Sequence, residues 1–218
     1  MPPRSPAAHL ERVDPNLAPI VRRVGRYALV PRAEGTHFGA VVRSIMYQQL
    51  SGKAAATIHG RFEAIYANAG PGSAGAGRTP EPRELLETPD EALRAAGVSR
   101  QKVGYLRDLA ARVDSGDVPM AGLDSLGDDQ IVAALTRVKG VGRWTAQMFL
   151  MFRLGRPDVL PDLDLGIQKG IQLAYRLDAL PSPKEVLRIG EKWAPYRTAA
   201  SWYLWRSLDN GDGQAGTL

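Results

Sequence analysis

The sequence predicts an all-α protein, and three observations carry that prediction. Strand signals are nearly absent along the 218 residues, whereas helix start and stop signals recur. A glycine turn, Gly140-Val141-Gly142, also sits between two amphipathic helical patterns.

The elements follow in chain order. His37 to Met46 and Gly52 to Ala69 read as helices separated by Gln48-Gln49-Leu50-Ser51. Gly70 to Arg83 is rich in Gly, Ala and Pro and reads as a mobile loop. Thr88-Pro89-Asp90-Glu91 has the pattern of a capping box with proline at the first helical position, and Gly97 ends that short helix. Ser99 caps a helix to about Val113, with Val103, Leu106, Leu109, Ala110 and Val113 on one face. Asp128 or Asp129 opens the next, whose apolar positions are Ile131, Val132, Leu135 and Val138. After the glycine turn a second helix completes a pair over residues 128–153. A further helix starts at Leu165, with Asp164 or Asp162 before it as cap. Ser182-Pro183-Lys184-Glu185 is another capping box, opening a helix to about Trp193, and the last helix runs from about Tyr196 to Leu208. The first few residues and Asn210 to Leu218 are expected to fray. No internal repeat is evident.

Composition narrows the function classes. Hydrophobic content of 44% is that of an ordinary globular protein with room for one large domain or two small lobes. Lys and Arg exceed Asp and Glu by 28 to 23, a net charge of +5 that mildly favours a polyanionic partner. The absence of cysteine excludes disulfides, cysteine nucleophiles, Cys-ligated zinc and iron–sulfur clusters. The three histidines, His9, His37 and His59, lack metal-ligand spacing. The opening MPPRSPAAHL has no apolar core, and no apolar run approaches the roughly 20 residues that span a bilayer. A monomeric, cytoplasmic protein with no membrane partner is expected, nucleoid-associated in a bacterium.

The glycine turn has two readings. It is either an ordinary helix-ending turn or a helix-hairpin-helix whose backbone N–H groups grip a phosphate at a helix N-terminus. The apolar Val141 between two glycines, the basic Lys139 and Arg143, and the small Thr145-Ala146 pair favour the second reading. Backbone groups read no sequence, so the contact would be with DNA of any sequence. Carbonyls in such a turn can also hold a monovalent cation that bridges to phosphate.

Downstream stands Asp164, among Leu163, Leu165 and Ile167, which predict apolar surroundings. As an N-cap it would stay ionised beside the helix dipole, and a fixed anion can stabilise positive charge developing on a sugar. Breaking an N-glycosidic bond creates such charge at C1′. Capping and catalysis are compatible roles.

At these residues the chain resembles the helix-hairpin-helix DNA glycosylases of the HhH-GPD superfamily, of the DNA-3-methyladenine glycosylase II type. The resemblance rests on Lys139-Gly140-Val141-Gly142-Arg143-Trp144-Thr145-Ala146 and on Asp158 through Ile167, reading DVLPDLDLGI. Ser44 through Ser51 with Lys53-Ala54-Ala55, Ser99-Arg100-Gln101-Lys102 with Tyr105-Leu106, and Trp193 through Arg197 running into Tyr203 through Arg206 agree with it. The match covers about residues 36–208.

The resemblance implies two helical lobes with a cleft between them, and a partner in double-stranded DNA containing alkylated bases. The expected domains are an N-terminal segment, 1–35, packing with the C-terminal helices; a central lobe, 36–153; a C-terminal lobe, 154–209; and a flexible tail, 210–218. It makes Asp164 the catalytic acid and assigns backbone binding to Lys139, Gly140, Val141, Gly142, Arg143 and Thr145. Carbonyls of Thr136, Val138 and Val141 would hold a structural Na+ or K+, and catalysis would need no cofactor. Relatives with lyase activity carry a lysine just before the Thr-Ala pair. Here that position is Trp144, which implies release of the base without a Schiff base. The 35 residues before Thr36 are too few for the extra N-terminal β-rich domain of larger relatives, so a compact form is expected.

Such an enzyme must flip its base out of the duplex and fill the gap. The break at Gln48, Gln49 and Leu50 is the candidate wedge; alignment with relatives favours Gln49, and hydrophobicity favours Leu50. Aromatics suit a cationic alkylated purine. Trp144 and Trp205 match the family's pocket tryptophans, and Tyr47 beside the wedge is a third candidate. Met148 and Leu165 stand where some relatives have tyrosines, which implies a more open pocket. Trp193 and Trp202 are read as core.

Overall fold

The computed structural model of the chain describes residues 5–67 and 77–209, and every regular element among them is a helix. In chain order these are α1 (Pro6–Val13), α2 (Ala18–Val24), α3 (His37–Tyr47), α4 (Gly52–Ala64), α5 (Pro82–Glu87), α6 (Asp90–Ala95) and α7 (Arg100–Asp114). Then come α8 (Asp128–Leu135), α9 (Arg143–Phe152), α10 (Leu165–Tyr175), α11 (Pro183–Gly190) and α12 (Arg197–Ser207). Short 3₁₀ turns occupy Leu123–Ser125 and Glu191–Trp193. The all-α prediction is met.

The described residues fall into two compact units. One joins the N-terminal residues through Arg32 to everything from Leu150 onward, and the other runs from Ala33 to Phe149. In the first unit, α1 and α2 pack with α10, α11 and α12 around Leu10, Leu17, Ile171, Trp193, Tyr203 and Leu204. Each such apolar side chain withdrawn from water contributes about 1.5–3 kcal/mol before entropy is counted. A charged group sits in the middle of this core. Asp14, fully buried, accepts hydrogen bonds from the Trp193 indole at 2.6 Å, from the Tyr175 hydroxyl, and from the backbone of Asn16 and Leu17. Lys192 Nζ lies 3.5 Å away. Burial alone would raise the Asp14 carboxyl, but these donors and the Lys192 charge outweigh it and hold it below the usual range. Trp193 is core, as its reading required, whereas Trp202 is only partly buried and meets Tyr27 edge-on at the margin.

The second unit is built on α7. Ser99 caps it by accepting the Lys102 N–H, and Val103, Leu106, Leu109 and Ala110 are buried. The α5–α6 corner docks on it through Arg107, which donates to the carbonyls of Leu85 and Thr88 and to Asp90 Oδ1. One guanidinium thereby satisfies carbonyls ending α5 and an acid opening α6.

Three local expectations need correction. Helix α4 stops at Ala64, five residues before Ala69, and residues 65–67 form a turn. Helix α5 begins at Pro82, inside the expected loop, because Glu84 bonds back to the Glu81 N–H and proline suits the first turn. The rest of that loop, 68–76, lies outside the described residues, as do 1–4 and the tail 210–218. Thr88 is not a cap for α6: its hydroxyl donates to the Glu84 carbonyl and meets the Tyr66 hydroxyl, so it closes α5 instead. The box at Ser182 forms as read, with Glu185 accepting the Ser182 N–H at 2.7 Å.

Candidate active site

The hairpin takes shape from residues on either side of its glycines. Helix α8 ends at Leu135 with Thr136 as its C-cap, and Gly140 has φ +80°, a left-handed conformation open to glycine. A side chain there would also collide with Tyr105, whose ring carbon would lie 2.2 Å from a Cβ. Gly142 faces open space instead. Val141 is buried beneath the turn, and its N–H returns to the Val138 carbonyl at 3.0 Å. Asp108 Oδ2 accepts the Lys139 N–H at 2.8 Å. Burial pushes the Asp108 carboxyl up, but the Lys139 N–H and Arg112 bring it below its ordinary range. Past the turn, Gly142 and Arg143 are exposed at the start of α9, Trp144 is half-buried, and Thr145 and Met148 are buried.

The α3–α4 break lies in the same unit. Lys102 Nζ donates to the carbonyls of Met46 and Gln48, both at 2.7 Å. Gln48 Nε2 donates to the Gly140 carbonyl at 2.9 Å. Gln49 is exposed with φ +57°, a conformation uncommon outside glycine. Leu50 is 40% exposed, and Ser51 caps α4. Tyr47 is half-buried; the Arg43 guanidinium covers one ring face at 3.8 Å and His59 meets its edge.

The acid belongs to the first unit. Asp164 is the N-cap of α10, and its Oδ1 accepts both the Ile167 N–H and the Trp205 indole N–H, each at 2.9 Å. Phe152 stacks on Trp205 with centroids 5.9 Å apart. Gly166 permits this approach: a Cβ there would lie 2.9 Å from the indole and 3.0 Å from Asp164 Oδ1. The segment leading to Asp164 is anchored by the two-pronged Asp158–Arg197 ion pair, at 2.8 Å on both prongs, and by Thr198, which receives the Val159 N–H. The apolar surroundings inferred from sequence need correction. Leu163 and Leu165 are 51% and 52% exposed, because residues flanking a capping position point away from the helix they introduce. The apolar wall beside Asp164 is the Trp205 indole. Asp162, the other acid considered, is buried, and its carbonyl accepts Gln168 Nε2.

Residues 42–196 match the family model described as HhH-GPD superfamily base excision DNA repair protein. The chain belongs to the HhH-GPD superfamily. Among HhH-GPD relatives, it is 36% identical to DNA-3-methyladenine glycosylase 1 of Schizosaccharomyces pombe, over 94% of this chain and 87% of that protein. The solved structure of the S. pombe 3-methyladenine DNA glycosylase in complex with abasic DNA superposes with a TM-score of 0.81 and 34% identity, over 97% of this chain and all of that one. A DNA-3-methyladenine glycosidase from Bacillus halodurans gives 0.82 and 35% identity, over 95% and 90%.

Within this HhH-GPD chain the expected site residues divide between the units. Asp164, Leu165 and Trp205 lie in the first; Tyr47, the 48–50 break, the hairpin, Trp144 and Met148 lie in the second. Sequence reasoning missed four contributors. Gly166, Lys102 and Tyr105 stood inside recognised motifs without a role. Asp108 had no local signal, because its partner is 31 residues away. Among the described residues no cluster of His, Asp or Glu suited to a metal ion occurs, and no helix is long and apolar enough to cross a membrane.

Proposed function

We propose that the protein is a monofunctional DNA glycosylase of base excision repair. It hydrolyses the N-glycosidic bond of alkylated bases, 3-methyladenine and 7-methylguanine among them, and leaves an abasic site. The observation that carries this reading is the geometry at Asp164. One carboxylate oxygen is fixed by a helix N-terminal N–H and an indole N–H, so the group is held in one orientation. Relatives named for 3-methyladenine support the choice of base.

In this mechanism the C1′–N bond breaks with its electron pair going to the base. An alkylated purine carries positive charge and therefore leaves neutral, without a general acid. The positive charge left on the sugar is stabilised by Asp164, which also orients water. Water oxygen bonds to C1′ and its proton passes to the carboxylate or solvent. The step is a hydrolysis with no net oxidation or reduction.

The remaining roles follow the chemistry of each group. Trp144, Trp205 and Tyr47 supply aromatic surface for a flipped cationic base; Met148 and Leu165 complete the assignment. Gln49 is the inserting residue, with Gln48 and Leu50 beside it, since it is exposed in the break at positive φ. Of the DNA backbone-binding set, Lys139 and Arg143 contribute their charges, Gly142, Arg143 and Thr145 the main-chain N–H groups at the start of α9, and Gly140 and Val141 the shape of the turn. Carbonyls of Thr136, Val138 and Val141 are hard oxygen donors following the C-terminal end of α8, which suits a monovalent cation, and such a cation would add positive charge toward phosphate. Trp144 offers no amine for a Schiff base.

The test is release of 3-methyladenine from alkylated duplex DNA. Asp164→Asn is expected to bind DNA as the wild type does while losing about 10²–10³-fold in release rate, the scale of one electrostatic contact to developing charge. Unchanged release would remove the assignment. Borohydride treatment of the wild type with substrate is expected to trap no covalent protein–DNA adduct; a trapped adduct would overturn the absence of lyase activity.

A further inference from the structure

Helix α7 presents Lys102, Tyr105 and Asp108 on successive turns, and each engages a loop outside the helix. Lys102 Nζ binds the carbonyls of Met46 and Gln48, where α3 ends and its dipole leaves partial negative charge. Tyr105 fills the space a side chain at Gly140 would need, and Asp108 receives the Lys139 N–H. Gln48 Nε2 on the Gly140 carbonyl closes the circuit between break and hairpin. Gln49 follows directly on the second of the carbonyls that Lys102 binds, that of Gln48, and adopts an unfavourable left-handed backbone. Such a conformation persists when its surroundings over-determine it. The ammonium is partly buried, and that desolvation lowers its pKa.

We propose that Lys102 is a positioning residue for base extrusion: through the Met46 and Gln48 carbonyls it locks the 48–51 loop so that Gln49 projects in register with the hairpin on the same helix. Insertion into the duplex and the grip on its backbone then occur as one rigid event. This rests on the glycosylase reading above.

The experiment compares base release from one alkylated base in a fully paired duplex and in an unpaired single-base bulge, where extrusion is already achieved. Lys102→Met keeps the stem and removes both charge-assisted bonds. It is expected to lower duplex release by about tenfold or more while leaving bulge release within about twofold of wild type. Lys102→Arg, which keeps the charge and donors, is expected to recover most of the duplex rate. Equal losses on both substrates, or no loss on the duplex, would overturn the proposal. If Lys102→Met melts below the assay temperature, Lys102→Gln, which removes the charge and keeps an amide NH2, takes its place. Should the wild type release no base from either substrate, the glycosylase reading fails, and fluorescence of 2-aminopurine beside the insertion point decides the positioning role by itself. Weaker unstacking by the variant than by wild type sustains it, and equal unstacking ends it.

Discussion

Gly166 decides how closely the Trp205 indole approaches Asp164. Gly166→Ala places a methyl group 2.9 Å from the indole, so the ring must shift and its N–H must leave Oδ1. Alanine is the better helix former by about 1 kcal/mol, which offsets part of the clash. The expected result is therefore a melting temperature near that of the wild type with base release lowered about tenfold, the equivalent of one lost charge-assisted hydrogen bond. Thermal melting beside single-turnover release separates the two effects, and a variant with full activity would show that the indole does not orient the acid. Asp164 itself was legible as a cap from its position before Leu165. Its second partner was not, because Trp205 is 41 residues away and only packing brings it there.

At the scale of the element, the hairpin depends on a turn and on the ring beneath it. Gly140→Ala meets two obstacles, a positive φ and the Tyr105 ring at 2.2 Å. Strain of this kind costs about 1–3 kcal/mol for the backbone alone. DNA binding, measured by fluorescence anisotropy across a salt series, is expected to weaken at every salt concentration, whereas Gly142→Ala, facing open space, keeps the fold intact. Equal affinity for Gly140→Ala and wild type would remove the hairpin from the interface. Most helices were readable because their signals are local: Ser51, Ser99 and Ser182 each cap the N–H three residues ahead. Thr88 shows the limit of that logic. Its pattern fits a cap, but the Glu84 carbonyl behind it and Tyr66 across from it take the hydroxyl first. Helices α1 and α2, unread in the sequence, are short, and their apolar faces become meaningful only against α12 and Trp193.

At the scale of the whole molecule, Asp14 ties the N-terminal helices to Tyr175 and Trp193 through one buried carboxylate. The Tyr175 hydroxyl is pushed well above the usual phenol range, first by burial and then by Asp14, so it remains a donor at physiological pH. Because the folded Asp14 carboxyl lies below its ordinary value, its stabilisation is fully present above the unfolded pKa of about 3.9. It is lost as pH falls through the folded value. Melting temperatures measured from neutral pH to about pH 3 are expected to fall at the acid end, and Asp14→Asn is expected to lower the neutral value and shallow that fall. An Asp14→Asn profile parallel to wild type would assign acid sensitivity elsewhere, to Asp108 beside Arg112, Asp117 between Arg112 and Arg137, and Asp158 beside Arg197. Removing the acceptor altogether, as in Asp14→Ala, leaves the Trp193 indole and the Tyr175 hydroxyl without it, with an expected cost of about 1–3 kcal/mol for each donor.

The sequence by itself determined the all-α class, the order of most helices, the hairpin and the capping acid. Those features are set by neighbours within a turn or two, where a glycine, proline or short polar side chain acts directly on its own backbone. Only the tertiary structure decided which indole holds Asp164, which lysine holds the loop around Gln49, and which ring makes Gly140 obligatory. Those partners are separated by 41, 54 and 35 residues, and their contacts exist only after the apolar faces of the helices have packed.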